Sequence, residues 1–236
     1  MARIDALKRE TRRDRREIRR VLGVKSVGEA VGPITPGCEI YGLTGGDFSL
    51  IDLIEHALVF TGPARGVLST WTAAGADITF AYRLMSCGQL VSLRFLVDFS
   101  FPARQPAYCE ALRQTFGDGC IRITKNHCKF VLLQNARWNL VIRTSMNLNE
   151  NRRLESFEIS DDPAMAKYLE ETIDRIFSIQ PSAGQFDKRP IDHCHEFETL
   201  VGRGEPGPIR ESQDVKRFYN DGAFENDLRR VGLNYL

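Results

Sequence analysis

The sequence predicts an α/β fold in which a mixed β-sheet is flanked by helices on both faces. Strand and helix patterns alternate from residue 49 to residue 179, and such alternation is typical of layered α/β domains. Residues 91–99 form an almost uninterrupted apolar run, which indicates a strand buried on both faces. With 42% hydrophobic and 27% charged residues, the 236-residue chain has a globular composition, which excludes wholesale disorder and collagen-like repeats.

Four segments are expected along the chain. Residues 1–20 form a basic arm, predicted to be an exposed helix or disordered, because nine Lys or Arg face four Asp or Glu there. The arm therefore carries a net charge of +5, against +1 for the whole chain. Residues 21–48 are a lead-in rich in Gly and Pro, for which loops are predicted. Residues 49–179 form the α/β domain, and residues 180–236 form an irregular C-terminal extension with an amphipathic stretch at 213–231.

The helices of the α/β domain are predicted from their terminal residues and apolar stripes. Ser49 followed by Asp52 is typical of a helix N-terminus, and Gly117 is typical of a helix C-terminus. The acidic residues before Pro163 complement the positive end of a helix dipole. Helices are predicted at residues 49–62, 76–86, 106–116 and 163–177. Strands are predicted at residues 67–71, 91–99, 121–124, 129–133, 138–143 and 157–159.

The sequence also bears on the cellular compartment. No stretch approaches the ~18–20 consecutive apolar residues of a membrane span, and the charged N-terminus lacks the apolar core of a signal peptide. The six cysteines include no CxxC pair, and in a chain of this length they indicate reduced, mostly buried thiols. We therefore expect a cytoplasmic protein without a membrane partner.

Residues 127–155 contain a group of side chains suited to binding an anion. His127 and Lys129 open one predicted strand, and Ser145 and Asn147 end the next, so alternation puts each pair on one face. An imidazole, an ammonium, a hydroxyl and a carboxamide at adjacent strand ends suit a tetrahedral anion such as phosphate. His127 is the candidate nucleophile or proton donor, and Glu155 follows after a basic turn.

This group resembles the motifs of the phospholipase D superfamily. Residues 127–129 read HCK and match the family's HxK, and residues 144–147 read TSMN and match its GSxN. Glu155 lies where the family has a carboxylate that orients the histidine. The order of predicted strands and helices also matches, and the resemblance covers roughly residues 50–179.

Two residues depart from the family's motifs. The Asp that follows HxK is replaced by Gln134, and the Gly of GSxN is replaced by Thr144. In the family, that Asp supports the turn and the network behind the site and does not attack the substrate.

The resemblance implies a phosphodiesterase of the phospholipase D type that needs no metal and no cofactor. Members of the family react through a phosphohistidine, with two HxK motifs facing each other across one site. One histidine is the nucleophile and the other is the general acid. This chain has one HxK motif and no internal repeat, so it resembles the single-motif bacterial nucleases, which complete the site by homodimerising. The implied catalytic residues are His127, Lys129, Ser145, Asn147 and Glu155.

The basic arm favours nucleic acid, and DNA in particular, as the substrate and partner. A basic segment gains affinity for a polyanion by releasing condensed counterions. The candidate contacts in the arm are Arg12, Arg13, Arg15, Arg16, Arg19 and Arg20. Further candidate substrate-binding residues flank the motif, namely Arg137, Arg143, Arg152 and Arg153. Two alternatives remain: a non-catalytic nucleic-acid-binding protein on the same fold, and a phospholipid-acting enzyme.

The run HCH at residues 193–195 lacks the spacing of a zinc site. Cys120 or Cys128 would be needed to complete a ligand set, and there is no second ligand pair at metal spacing. A surface loop is predicted there, and no metal is expected.

Overall fold

A mixed β-sheet is the centre of the structure. The computed structural model describes residues 16–20, 26–148, 153–180 and 185–202, and eight strands lie within these residues. In chain order they are β1 (Arg16–Arg20), β2 (Glu39–Thr44), β3 (Ala64–Thr70), β4 (Leu90–Asp98), β5 (Ile121–Thr124), β6 (Phe130–Gln134), β7 (Asn139–Thr144) and β8 (Glu155–Asp161). They pair in the order β1-β2-β8-β7-β6-β3-β4-β5.

The strand directions bring the ends of many strands to the same edge of the sheet. β3, β4 and β5 run parallel, and β6 runs antiparallel to β3. β7 and β8 continue the antiparallel pairing, β2 pairs antiparallel with β8, and β1 runs parallel to β2. The C-terminal ends of β3, β4 and β7 therefore meet the N-terminal ends of β6 and β8. We call this edge the upper edge.

Seven helices lie within the described residues. They are α1 (Val27–Val31), α2 (Leu50–Thr61), α3 (Gly75–Ser86), α4 (Phe101–Arg104), α5 (Pro106–Phe116), α6 (Pro163–Ile179) and α7 (Pro190–Leu200). The expected N-terminal signals are present as hydrogen bonds. The Asp52 amide donates to Ser49 Oγ at 3.2 Å, and the Ser49 amide donates to the Asp52 carboxylate at 2.7 Å, which forms a capping box. The Asp162 carboxylate accepts from the first-turn amides of α6 at 3.1 Å.

Helices cover both faces of the sheet, as the sequence predicts. One core cluster joins the sheet to α1, α2, α3 and α5, and a second joins the opposite face to α6. Neighbouring strand residues point into different clusters: Leu68 and Phe95 lie in the first, and Val67 and Leu96 in the second. The apolar run at residues 91–99 follows from this double burial.

The structure differs from the sequence-based expectation on both sides of residues 49–179. Residues 16–20, expected in a helix or a disordered arm, form the edge strand β1, and the lead-in expected to be loops contains β2. Gly42 interrupts the apolar pattern of β2, and the neighbouring segments are rich in Gly and Pro, so the local sequence does not indicate a strand. The strand is stabilised by its pairing with β8. Residues 193–195 lie on α7, not in a surface loop. The predicted amphipathic stretch at 213–231 lies outside the described residues.

The cysteines differ from the prediction in burial. All six are free thiols, but among them only Cys38 and Cys109 are buried, while Cys87 and Cys128 are exposed. Burial raises the pKa of Cys109 to about 11, which keeps this thiol protonated and unreactive at neutral pH. Among the described residues, no helix combines the length and the apolar character needed to cross a membrane.

The close approach of β2 to β8 requires glycine at position 42. A Cβ at Gly42 would lie 2.3 Å from Cζ of Phe157, whose side chain is buried. We expect Gly42→Ala to destabilise the protein by about 1–3 kcal/mol, because the ring has no free space to enter. Urea denaturation measures the change. Gly45→Ala is the matched control, since its Cβ would first meet the Asp47 side chain at 3.4 Å. Equal stability of the two variants would contradict this packing argument.

Candidate active site

The five residues predicted to be catalytic lie at the upper edge of the sheet. His127 and Lys129 immediately precede β6, Ser145 and Asn147 immediately follow β7, and Glu155 is the first residue of β8. β6 begins at Phe130, one residue later than predicted, so His127 and Lys129 lie in the segment before the strand. Because β6, β7 and β8 are neighbours in the sheet, this edge collects residues that are up to 28 positions apart in the sequence.

Glu155 interacts with two other candidate residues. It accepts a hydrogen bond from Ser145, and its charge acts on Lys129. Ser145 Oγ donates a hydrogen bond to the Glu155 carboxylate and accepts one from the Ser156 amide at 2.9 Å. Burial lowers the pKa of Lys129, and the negative charge of Glu155 partly opposes this effect. The half-buried ammonium and the carboxylate therefore lie in one electrostatic environment.

His127 is exposed, and its ring nitrogens have no hydrogen-bond partner among the described residues. The resemblance implies that Glu155 orients the imidazole. Within one chain, however, Glu155 binds Ser145 instead. The imidazole contacts the Trp71 ring, with the ring centroids 5.9 Å apart and the planes at 60°. Trp71 is the residue that follows β3, and β3 is paired with β6 in the sheet.

The segment that carries Asn147 is held against the end of β3. The Leu148 amide donates to Thr72 O at 3.2 Å, and the Ala74 amide donates to Leu148 O at 2.7 Å. The Asn147 amide oxygen is buried and has no hydrogen-bond partner among the described residues. An unpaired buried polar atom costs free energy, so it is a group that a bound ligand or water can satisfy.

A buried polar network that the sequence did not reveal holds the segment at residues 127–129. The Asn126 side chain donates to Ser69 Oγ at 3.0 Å and accepts from the Cys128 amide at 3.0 Å. Ser69 Oγ in turn donates to Cys128 O at 2.8 Å. The backbone amide of Asn126 donates to the Asp98 carboxylate at 3.1 Å. These bonds fix the backbone on both sides of His127. No local pattern marks Asn126, because its partners belong to β3 and β4.

The structure explains how both departures from the family's motifs are accommodated. Thr144 Oγ1 donates to Ser156 O at 2.7 Å and accepts from the Met146 amide at 3.0 Å. No non-glycine residue in the described ranges has a positive φ, so position 144 does not require glycine. Gln134 lies at the opposite end of β6 from Lys129, about 16 Å away at ~3.3 Å per residue. Its amide donates to Glu170 on α6 at 3.2 Å.

The structure describes three of the four flanking arginines, and it places Arg137 away from the upper edge. Arg137 lies in the turn between β6 and β7, at the opposite end of β6 from the upper edge. Arg143 forms an ion pair with Glu158 on the neighbouring strand. Arg153 is exposed just before β8, and Arg152 lies outside the described residues.

The structure describes three of the six candidate arginines of the basic arm. Arg12, Arg13 and Arg15 lie outside the described residues. Arg16, Arg19 and Arg20 belong to β1.

In the described part of the chain, no three His, Cys, Asp or Glu side chains are grouped as metal ligands would be.

Fold and site define an α/β protein with a candidate anion-binding group at one edge of a mixed sheet. The fold is similar to that of a polyphosphate kinase from Porphyromonas gingivalis, with a TM-score of 0.44 and 13% identity over 61% of this chain. The chain spans about a quarter of that protein, 26% of its length. NucT from Helicobacter pylori is also similar, with a TM-score of 0.42 and 12% identity over 59% of this chain and 96% of NucT. No family model and no curated protein matches the sequence. The resemblance to the phospholipase D superfamily lies in the order of the motif residues at 127–155.

The electrostatic coupling of Lys129 to Glu155 predicts how anion binding by Lys129 depends on pH. Glu155→Gln removes the charge that opposes the effect of burial, so we expect the pKa of Lys129 to fall further. An anion held by the ammonium is bound below this pKa and released as the pH rises through it. Release is therefore expected at a lower pH in the variant than in the native protein. Titration of the lysine side chain by NMR measures the change.

Glu158→Gln is the control for that titration. Glu158 lies on the same strand but forms an ion pair with Arg143, so its loss is expected to leave Lys129 unchanged. A Lys129 pKa that is unchanged or higher in Glu155→Gln would contradict the coupling.

Proposed function

We propose that the chain is a phosphodiesterase, and specifically a metal-independent nuclease that cleaves DNA through a phosphohistidine intermediate. We propose further that a second copy of the chain completes the site. The observation that carries the proposal is the convergence of an exposed imidazole, a half-buried ammonium and hydrogen-bonding side chains at the upper edge. Each of these groups has a role in displacement at phosphorus.

The ammonium and the polar side chains suit a phosphodiester. Lys129 would neutralise a non-bridging phosphate oxygen, and its partial burial strengthens the attraction because water screens it less. Asn147 would donate to a phosphate oxygen through its side-chain NH₂, and Ser145 would do so once its hydroxyl turns away from Glu155.

The reaction needs two imidazoles in different protonation states. A ring nitrogen of neutral His127 attacks phosphorus and forms the P–N bond while the P–O bond to the leaving oxygen breaks. The imidazolium of the partner subunit's His127 gives its proton to that oxygen. Water then attacks phosphorus and gives its proton to the same, now neutral, imidazole. The P–N bond breaks, and the first His127 is released unchanged.

The basic arm supports nucleic acid as the substrate. Its net charge of +5 favours a polyanion through counterion release, without any need to recognise bases. Its last five residues form β1 at the edge of the sheet.

The first test is cleavage without metal. We expect purified protein to cut supercoiled DNA in the presence of EDTA, and His127→Ala to lower kcat by roughly 10³-fold or more, because the nucleophile is removed. Agarose gels and single-turnover rates measure both. His56→Gln is the control, since His56 lies on α2 and its Nε2 contacts Gly32 O at 2.7 Å.

Three results of this test contradict the proposal. Loss of cleavage in EDTA would exclude the metal-independent mechanism. DNA that is bound but not cut would identify a non-catalytic nucleic-acid-binding protein. Turnover of phospholipid vesicles with neither binding nor cutting of DNA would identify a lipid-acting enzyme.

The second test concerns the arm. Because residues 16–20 belong to β1, substitution is confined to Arg12, Arg13 and Arg15, so that the sheet keeps its edge strand. We expect the triple alanine variant to weaken DNA binding and to flatten the plot of log K against log salt by roughly 0.9 for each phosphate charge that the arm no longer neutralises. Fluorescence anisotropy over a salt series measures the slope. Triple substitution of Arg65, Arg83 and Arg113, each ion-paired on the surface, is the charge-matched control. Equal slopes in the two variants would exclude the arm from binding.

A further inference from the structure

Trp71 differs from the other tryptophan of the chain in its surroundings. The chain has two tryptophans. Trp138 is buried and belongs to a core cluster, whereas Trp71 is half-exposed and belongs to neither described cluster. The ring contacts of Trp71 in the described residues are with the imidazole of His127 and the guanidinium of Arg104. Core packing therefore does not account for an indole at this position.

Arg104 holds the indole in place. Its guanidinium carbon lies 3.6 Å from the centroid of the Trp71 ring, which is a close cation–π stack. The same guanidinium donates from Nη2 to Trp71 O at 3.1 Å and from Nε to Ser100 Oγ at 2.9 Å. Ser100 is itself bound to the Asp98 carboxylate, which also accepts from the Asn126 amide. One connected network therefore fixes both the indole and the backbone before His127.

The contact between indole and imidazole has the geometry of a favourable aromatic pair. Ring centroids about 4.5–7 Å apart in an edge-to-face arrangement are preferred, because the positive edge of one ring meets the negative face of the other. The observed values, 5.9 Å and 60°, lie in this range. His127 is exposed and lacks hydrogen bonds to its ring nitrogens among the described residues, so the ring contact with Trp71 helps to restrict its side-chain rotation.

We propose that Trp71 is a positioning residue for His127, and that the stack with Arg104 keeps the indole rigid. The inference rests on the proposed function of His127 as the nucleophile. Attack on phosphorus requires the ring nitrogen to be held in line with the leaving oxygen, and small displacements of a reacting group cost large factors in rate. Trp71 touches neither phosphate nor leaving group in this role, so it acts on kcat through the imidazole and not on substrate affinity.

The experiment combines NMR of the imidazole with steady-state kinetics in full-length variants. The chain has four histidines, so comparison with His127→Ala assigns the His127 ring resonances directly. In the native protein the indole ring current shifts these resonances. We expect Trp71→Leu to abolish that shift and to lower kcat about tenfold or more with KM unchanged. Trp71→Phe, which keeps an aromatic ring, is expected to restore most of both properties.

Two further variants separate positioning from a structural role. Arg104→Met keeps the indole but removes its clamp, and it is expected to reduce the ring-current shift and kcat together. Trp138→Phe, the same change at the buried tryptophan, is expected to lower Tm while leaving the His127 resonances and kcat unchanged. A fall of kcat in Trp71→Phe as large as in Trp71→Leu would overturn the proposal. Native His127 resonances in Trp71→Leu would also overturn it. If the native protein cuts no DNA, the proposed function fails, while the NMR comparison still decides whether Trp71 positions the imidazole.

Discussion

The burial of β6 is the constraint on which the candidate site depends. This strand pairs with β3 on one side and β7 on the other, and Leu132 and Leu133 are fully buried on its opposite faces. A one-residue slip would exchange those faces and put each side chain into the wrong core, so the register is tightly specified. Because β6 runs antiparallel to both neighbours, its first residues must meet the ends of β3 and β7. The position of the polar group at the upper edge is therefore a consequence of apolar packing several residues away.

Polar contacts add orientation to this apolar framework. Strand pairing brings His127 and Lys129 to the correct edge. Lys129 O still accepts from the Thr144 amide of β7 at 3.2 Å, but His127 lies beyond the last bond between the two strands. Asn126 replaces the missing ladder bonds by pairing with Ser69 and Asp98 from two other strands. Bonds of this kind are strong in a buried setting and costly to break, so they make a short irregular segment as well defined as a strand. This division leaves His127 exposed while Asn126, Ser69 and Asp98 are buried.

The sequence predicts those parts of the structure that local signals decide. α2 and α6 begin where their capping residues place them, and β4 follows from an almost continuous apolar run. Four of the five candidate catalytic residues follow from two strands joined by a short turn, because sequence neighbours in a hairpin are also spatial neighbours. β2 could not be predicted in this way, because its partner β8 comes more than a hundred residues later and Gly42 weakens its pattern. Asn126 was missed for the same reason, since its side-chain partner Ser69 lies 57 residues away.

The protonation chemistry of the site follows from the groups that surround one imidazole. A single histidine cannot attack phosphorus and protonate the leaving oxygen in the same step, since the first role needs a neutral ring and the second a charged one. This chain has one HxK motif, and within one chain Glu155 is bound to Ser145.

The aromatic contact with Trp71 restricts rotation of the His127 ring but does not select its tautomer, since it engages no ring nitrogen. In the proposed reaction, the tautomer would be selected by a group outside the described residues of one chain. In the proposed mechanism, a second copy would supply both the missing proton donor and a partner for the ring nitrogen. The proposed homodimer therefore follows from the proposed reaction, which needs a second imidazole.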